Sequence, residues 1–296
     1  MATIIDGRAI AQDLEERIRK EIKRLSQQPR LAILSFNTPT SQVYLNAQLR
    51  VARRVGIEVH TESKTERRPV GTFGVGPLPW NVEFQEIQQT IEDWNQDPAV
   101  HGIFVHQPLP PQIDAQQLSA LIDPRKDIEG IHPQHSARRF FARARIGSCT
   151  ALAVMELIES TGVDLRGKEA VVVGHSEIVG RPVSMLLLDA LATTTVCHLG
   201  TAEAGRLEEH VRRADVLVVA VGEPQIIKGA WIKAKAIVID VGINVVGGHV
   251  VGDVEFDAAK ERAAFISPVP GGVGPVTVMM VMKNTVEAFR LQHAAS

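Results

Sequence analysis

The segment Gly174-His175-Ser176-Glu177-Ile178-Val179-Gly180 follows the apolar run Ala170-Val171-Val172-Val173 and leads into a helical pattern at Arg181-Pro182. A strand, a glycine turn and a helix N-terminus together make an anion site, because backbone N–H groups and the helix dipole point at a bound pyrophosphate. Gly174, His175, Ser176, Ile178 and Gly180 are the candidate contacts. The spacing is not G-x-G-x-x-G, and read alone the segment also fits a plain strand-to-helix turn. A second candidate is Pro268-Val269-Pro270-Gly271-Gly272-Val273-Gly274-Pro275, followed by Thr277. Proline fixes φ and glycine admits otherwise forbidden conformations, so this backbone is stiff, unusually shaped and bare enough for a ligand to lie against it. A helix-entry loop without a ligand is the plainer alternative. Asp240 and Asn244 flank a third glycine turn, with Ile243 as an apolar contact. It lies at a strand end, where open α/β sheets bind cofactors.

Many NAD-binding units end their second strand in an acidic residue that holds the ribose 2′-hydroxyl. Here that strand runs into Val196-Cys197-His198-Leu199-Gly200-Thr201, with no carboxylate. This leans away from NAD. A histidine at 175 offers a 2′-phosphate only a partly charged partner near neutrality, so NADP and NAD both stay open. Cys149 and His198 have no partners at metal-ligand spacing, and no metal is expected. Arg138, Arg139, Arg143 and Arg145 read as a solvated face, with docking of an acidic substrate tail as the alternative. Tyr44, the only tyrosine, reads alone as a core or helix-surface residue, and Asp127 as a turn carboxylate.

The elements that must position these groups follow from periodicity. Ile10, Leu14, Ile18, Ile22 and Leu25 recur at helical spacing over residues 7–26. Residues 31–36 form a short strand, and 39–55 a helix closed by Gly56. A strand at 57–61, a loop at 63–80, a helix at 82–95, a strand at 102–105 and a short helix at 114–122 follow. After a boundary between Lys126 and Ser148 come helix 150–160, strand 169–173, helix 178–191, strand 194–197, helix 203–213, and strands 215–220 and 236–241. A long helical stretch from Val278 to Phe289 closes the chain, free to pack back on the first half. Such alternation argues for parallel sheets with crossover helices.

The 296 residues suffice for two domains, and a 45% hydrophobic content suits a large core. A net charge of −2 points to neither nucleic acid nor membrane. No apolar run is long enough to span a bilayer. Two cysteines are too few for a disulfide framework and fit a reducing cytoplasm, and the N-terminus lacks a signal or transit pattern.

The order of motifs resembles the bifunctional methylenetetrahydrofolate dehydrogenase/methenyltetrahydrofolate cyclohydrolase family. The resemblance covers nearly the whole chain. It runs through Ile4-Ile-Asp-Gly7, Ser41-Gln-Val-Tyr44, Gly102-Ile-Phe-Val105, Pro108-Leu-Pro110, Lys126-Asp-Ile-Glu-Gly130, Cys149-Thr150, Val171 to Pro182, Asp240-Val-Gly-Ile-Asn244, Gly252-Asp-Val254 and Pro268 to Thr277. It implies an α/β fold of two domains. Residues 1–138, joined by the C-terminal helix 276–296, form a folate-binding catalytic domain, and 139–275 a Rossmann-like NAD(P)-binding domain with a parallel sheet. It further implies a tetrahydrofolate substrate in a cleft between the domains, NADP or less often NAD as cofactor, and a homodimer. The activities implied are oxidation of 5,10-methylenetetrahydrofolate and hydrolysis of the methenyl product to 10-formyltetrahydrofolate.

The resemblance assigns catalysis to the positions of Tyr44, Gln48, His106 and Asp127, the last as the carboxylate that grips the pterin. Substrate contacts fall on Tyr44, Gln107, Asp127, Pro270, Gly271 and Gly272, and cofactor contacts extend to Leu199 and Ile243. Tyr44 and residue 48 share a helix face, but the family's lysine is Gln48 here. Its supporting glutamine is His106, and the leucine after that is Gln107. Pro-Cys-Thr-Pro reads Ser148-Cys-Thr-Ala151, and His-Pro-x-Asn-x-Gly reads His132-Pro-Gln-His135-Ser-Ala137. The arginine of the phosphate turn is His175 and the serine after the second-strand histidine is Leu199, so two expected 2′-phosphate contacts are weakened together. A glutamine amide does not titrate, so hydrolysis should suffer most, while hydride transfer depends mainly on positioning. Either His106 replaces the lysine as proton carrier, or it fills the glutamine's place and hydrogen-bonds Gln48. Another pterin or small substrate, and a non-catalytic folate-binding paralogue, are the competing readings.

Overall fold

A computed structural model describes residues 1–36, 38–64, 84–141 and 145–294. In chain order the elements are β1 (Thr3–Ile4), α1 (Gly7–Ile22), β2 (Arg30–Ser35), α2 (Pro39–Val55), β3 (Glu58–Ser63), α3 (Phe84–Gln96), β4 (Gly102–Val105), α4 (Ala115–Leu121) and α5 (Pro133–Phe140). Then come α6 (Cys149–Glu159), β5 (Glu169–Val173), α7 (Gly180–Asp189), β6 (Thr193–Cys197), α8 (Leu199–Glu203), α9 (Leu207–Arg213), β7 (Val216–Val219) and β8 (Ile237–Asp240). The chain closes with β9 (Asn244–Val246), β10 (His249–Val251), α10 (Phe256–Ala259), β11 (Phe265–Ile266) and α11 (Val273–His293).

These elements fall into two compact α/β units. One takes Met1–Leu14 and Gly147–Met280 among its segments, the other Glu15–Ala137 and the chain from Val281 on. The first unit holds a six-stranded sheet in the order β1-β11-β8-β7-β5-β6, with every pairing parallel. Val171, Val172, Val218 and Ile239 are fully buried, as expected of parallel strands covered on both faces. One face packs Val171, Val173, Leu217 and Val219 with Leu207 and Val211 of α9. The chain runs from β5 to β6 on one side and returns to β7 on the other, so a topological switch point lies at the C-terminal end of β5.

The second unit has a three-stranded parallel sheet, β3-β2-β4. Its chain likewise goes from β2 to β3 and then to β4 on the opposite side. Ala32, Leu34, Ile103 and Val105 pack against Ile87, Ile91 and Trp94 of α3. Thr38 caps α2, its hydroxyl accepting the Ser41 N–H at 3.1 Å, and Gly56 ends the helix at φ +95°. The last turns of α11 join this unit through Asn284 Nδ2, which donates to the Ile128 carbonyl at 2.8 Å, and through the Arg290–Glu21 ion pair at 3.2 Å.

Several elements differ from the sequence reading. The first helix stops at Ile22, not 26. The helix expected over 203–213 is two helices, α8 and α9, separated at Gly205, whose φ of +68° no helix tolerates. The stretch read as a bare boundary contains α5. Arg139 is not a solvated arginine: its guanidinium packs where a side chain at Gly147 would stand, and burial lowers its pKa. Arg145 is ion-paired with Glu287 at 2.6 Å. Arg143 and most of the 63–80 loop lie outside the described residues. Among the described residues no helix is long and apolar enough to cross a membrane.

Candidate functional site

The turn after β5 lies at the switch point of the larger sheet. Gly174 has φ +114°, and a Cβ there would stand 2.2 Å from the Ala220 carbonyl oxygen. A Cβ on Gly180 would stand 2.1 Å from the Gly174 carbonyl oxygen, so α7 starts directly on the strand's last peptide. Only two bare backbones fit, and the result is a cradle of the kind a pyrophosphate enters. Ser176 Oγ accepts the Val179 N–H at 3.2 Å. Ser148 Oγ, which caps α6, also donates to the Ile178 carbonyl. His175, Ser176 and Ile178 are exposed, as are Leu199 at the start of α8 and Ile243 beyond β8. The cradle fits a dinucleotide.

Two buried aspartates brace the neighbouring loops. Asp240 accepts the N–H groups of Gly242, Asp253 and Val254 at 2.9–3.0 Å. Burial nevertheless raises its pKa to about 6, against those hydrogen bonds. Asp253 accepts from Val221 N, Gly222 N and Asn244 Nδ2 at 2.7–2.9 Å. Asn244 is thus a bracing residue, and Asp253 organises the loops after both β7 and β8. The Pro268–Pro275 loop folds on itself, with Gly272 N donating to Pro268 O at 2.8 Å and Gly271 at φ +111°. Pro270 is exposed. A cavity of about 450 Å³ lies beside it, lined by Val251, Gly252, Phe256, Pro268 and Val269 among others.

In the second unit, Tyr44 and Gln48 lie one turn apart on α2 and His106 directly follows β4. His106 Nε2 donates to Gln48 Oε1 at 2.7 Å. The Tyr44 ring lies 5.7 Å from the imidazole and 6.1 Å from the Phe104 ring, between centroids. Gln48 is 0% and His106 1% exposed. Burial pushes the imidazole down to about 4, against a weaker opposite pull from the Ser41 carbonyl. Gln48 Nε2 and His106 Nδ1 are buried and make no hydrogen bond among the described residues. Natural structures seldom leave such atoms unpaired outside functional sites.

Asp127 is wholly buried, and its two oxygens accept the N–H groups of Glu129, Gly130 and His132 at 2.8–3.1 Å. Its capacity is spent on the turn that follows. Glu129, two residues on, was not singled out by sequence reasoning. One of its oxygens accepts Val105 N–H at 3.2 Å. With the exposed Gln107, Glu129 lines a small cavity of about 10 Å³ beside Leu118 and Ile131, room for about one water. Burial first, and then the Asp127 charge, raise its carboxyl to about 8. The missed signal was desolvation, which no local pattern carries. Lys126 is also buried, its ammonium donating to the carbonyls of Trp94, Asn95 and Asp97 at 2.7–2.8 Å.

A parallel sheet with a glycine cradle at its switch point, in a chain with a second α/β unit carrying a buried polar cluster, defines a dinucleotide-binding protein of the dehydrogenase type. Two family models match the chain: the catalytic domain of tetrahydrofolate dehydrogenase/cyclohydrolase over residues 5–129, and its NAD(P)-binding domain over 148–293. The chain belongs to the tetrahydrofolate dehydrogenase/cyclohydrolase family. It is 44% identical to the bifunctional protein FolD 2 of Geobacter sulfurreducens, over 98% of each chain. The crystal structure of the bifunctional FolD enzyme from Campylobacter jejuni superposes with a TM-score of 0.90 at 34% identity, over 98% of this chain and 99% of that one. The Trypanosoma brucei enzyme, solved with NADP and an inhibitor, gives 0.89 at 36% identity over 98% of each.

Proposed function

We propose that this chain oxidises 5,10-methylenetetrahydrofolate to the methenyl form with NADP or NAD, and is a poor catalyst of the hydrolysis that follows. Membership of the family in both domains supports the first step. The Gln48–His106 hydrogen bond carries the asymmetry between the steps. Hydrolysis needs water activated and a leaving amine protonated, and positioned acid–base groups contribute roughly 10²–10⁴-fold to such steps. Gln48 does not titrate. His106 stays neutral at physiological pH, with its Nε2 proton committed to Gln48. Oxidation leaves positive charge on the folate, and a neutral pair does not oppose that charge.

When bound, NADP or NAD supplies the hydride acceptor. The chain's part is to hold and orient. Gly174, Ser176, Ile178 and Gly180 receive the dinucleotide, with Leu199 and Ile243 as apolar contacts. Tyr44 and Gln107, with the bare peptides of Pro270, Gly271 and Gly272, position the folate. The unpaired Gln48 Nε2 and His106 Nδ1 are the polar atoms left for it. Glu129 grips the N–H edge of the pterin, and Asp127 is a positioning residue that shapes the turn carrying Glu129. The folate half is the unit of Glu15–Ala137 with the chain from Val281 on, and the nucleotide half the unit that holds Gly147–Met280 and, through β1, the first residues of the chain, rather than a division at 138/139 and 275/276. A homodimer in the cytoplasm completes the proposal, consistent with Cys149 and Cys197 being buried and in no disulfide.

The test supplies methenyltetrahydrofolate directly and follows its decay. A rate close to that of buffer alone supports the proposal. Decay a thousandfold faster would mean that hydrolysis is intact.

A further inference from the structure

We propose that the buried carboxylates of Asp240 and Asp253 form a negative floor beneath the nicotinamide end of the dinucleotide and favour its oxidised, positively charged form over the reduced one. The inference rests on reading the turn after β5 as the dinucleotide site. With the pyrophosphate at that turn and the adenosine half toward β6, the topology leaves the nicotinamide half to the ends of β7 and β8. Asp240 is the last residue of β8, and Asp253 ties together the loops that follow β7 and β8. Two glycines hold the carboxylates hard against these loops. A Cβ on Gly242 would stand 2.1 Å from Asp253 Oδ1, and one on Gly252 would stand 2.0 Å from Asp240 Oδ2. Gly242 directly precedes Ile243, the exposed apolar side chain of this corner.

Asp253 is 0% and Asp240 3% exposed. Each accepts three N–H groups, all from backbone for Asp240, two from backbone and one from the Asn244 amide for Asp253. Acceptance alone is the behaviour of an ionised carboxylate. Burial raises the Asp240 pKa to about 6, which still leaves that group ionised at pH 7.5. Neither carboxylate has an ion-pair partner among the described residues. On the loop after β7, Glu223 is exposed and the Lys228 ammonium donates to the Gln225 carbonyl at 2.9 Å. No cation therefore cancels the two buried charges. An oxidised nicotinamide ring carries one positive charge and a reduced ring none, while the rest of the dinucleotide is the same. A negative field at the ring thus strengthens binding of one form only. At an effective dielectric of about 20, one charge about 10 Å away alters the ratio of the two affinities by roughly tenfold.

Calorimetric titration of the full chain at pH 7.5 with NADP and NADPH, and with NAD and NADH, tests this. Asp253→Asn keeps an oxygen for the Val221 and Gly222 N–H groups, and its amide faces an Asn244 side chain that can turn to offer its own oxygen. The variant is expected to bind the oxidised nucleotide about tenfold more weakly and the reduced one as before. Asn244→Ala removes a partner of Asp253 but keeps both charges, so the affinity ratio stays at its wild-type value. Val221 meets Asp253 through its backbone and its side chain is exposed. Val221→Lys therefore adds a cation without breaking the brace and shifts the ratio in the same direction, and it decides the matter if Asp253→Asn fails to melt cooperatively. Equal weakening of both forms in Asp253→Asn, an unaltered ratio in the deciding variant, or a ratio moved as far by Asn244→Ala overturns the electrostatic role. A wild-type chain that binds neither oxidised nor reduced nucleotide overturns the dinucleotide reading itself.

Discussion

His106 Nε2 and Gln48 Oε1 lie 2.7 Å apart in a place almost wholly closed to water. An amide oxygen only accepts, so the imidazole donates its Nε2 proton and keeps a bare lone pair at Nδ1. Burial holds that ring neutral well below physiological pH. Two adjacent polar side chains therefore form a pair that does not titrate near neutral pH. On the proposed reading, this pair is what weakens hydrolysis while leaving oxidation in place.

If the pair is inert, replacing His106 by glutamine preserves a hydrogen-bonding partner for Gln48 and leaves any hydrolysis unchanged to within about twofold. A loss in the acid–base range of roughly a hundredfold would instead make His106 the proton carrier. Comparing methenyltetrahydrofolate decay in the two proteins decides this.

Glu129 and Asp127 should respond differently. Glu129→Gln is expected to raise the KM for the folate about tenfold with little change in melting temperature, since the amide replaces the carboxyl's contact with the pterin N–H edge while an oxygen remains for the Val105 N–H. Asp127→Asn presents an amide where three backbone N–H groups need acceptors, and is expected to lower stability by about 2–3 kcal/mol. Urea unfolding beside steady-state kinetics separates the two. A larger unfolding effect at Glu129 than at Asp127 would reverse the assignment.

Lys126 lies in the same motif and serves the fold. Lys126→Met strips three carbonyls, one buried and two partly buried, of their donor, with an expected cost of about 2–4 kcal/mol. Nucleotide affinity in the folded fraction should not change. A weakened nucleotide affinity at unchanged stability would contradict this placement.

The stability of the chain should fall in mild acid. His101 accepts the Arg30 N–H on Nδ1 at 3.0 Å and is buried. Burial first, then the neighbouring His293, Lys126 and Arg30, lower its pKa from 6.5 to about 4. Above pH 6.5 both folded and unfolded chains hold this group neutral, and its contribution to stability is complete. Between pH 6.5 and 4 the unfolded chain takes up a proton that the folded chain refuses, and up to about 3 kcal/mol is lost. Urea midpoints measured from pH 7.5 to 4.5 should drop, and should drop less in His101→Gln. An equal drop in the variant would assign the effect elsewhere.

The α/β alternation was legible because long helices and buried parallel strands carry strong periodicity. β5 and its glycine turn could be placed by sequence alone. β1, β9, β10 and β11 were not anticipated: each has two or three residues, and β1 pairs with a strand some 260 positions away. The helix expected over 203–213 runs through Gly205 because the apolar spacing of α9 hides that residue's left-handed conformation, and the short α8 over Leu199–Glu203 was not anticipated. The meeting of Tyr44, Gln48 and His106 was legible only through motif order, since α2 and β4 are far apart in sequence. Glu129, Lys126 and Asp253 escaped because their roles come from burial and from carbonyls or N–H groups contributed by other loops.

The most direct test mixes the purified chain with 5,10-methylenetetrahydrofolate and NADP or NAD, following reduced nicotinamide and methenyltetrahydrofolate together. The account predicts that the two signals rise in step, as oxidation proceeds and its product accumulates. Nicotinamide reduction without methenyl build-up, beyond uncatalysed hydrolysis, would contradict it, and so would silence with both cofactors.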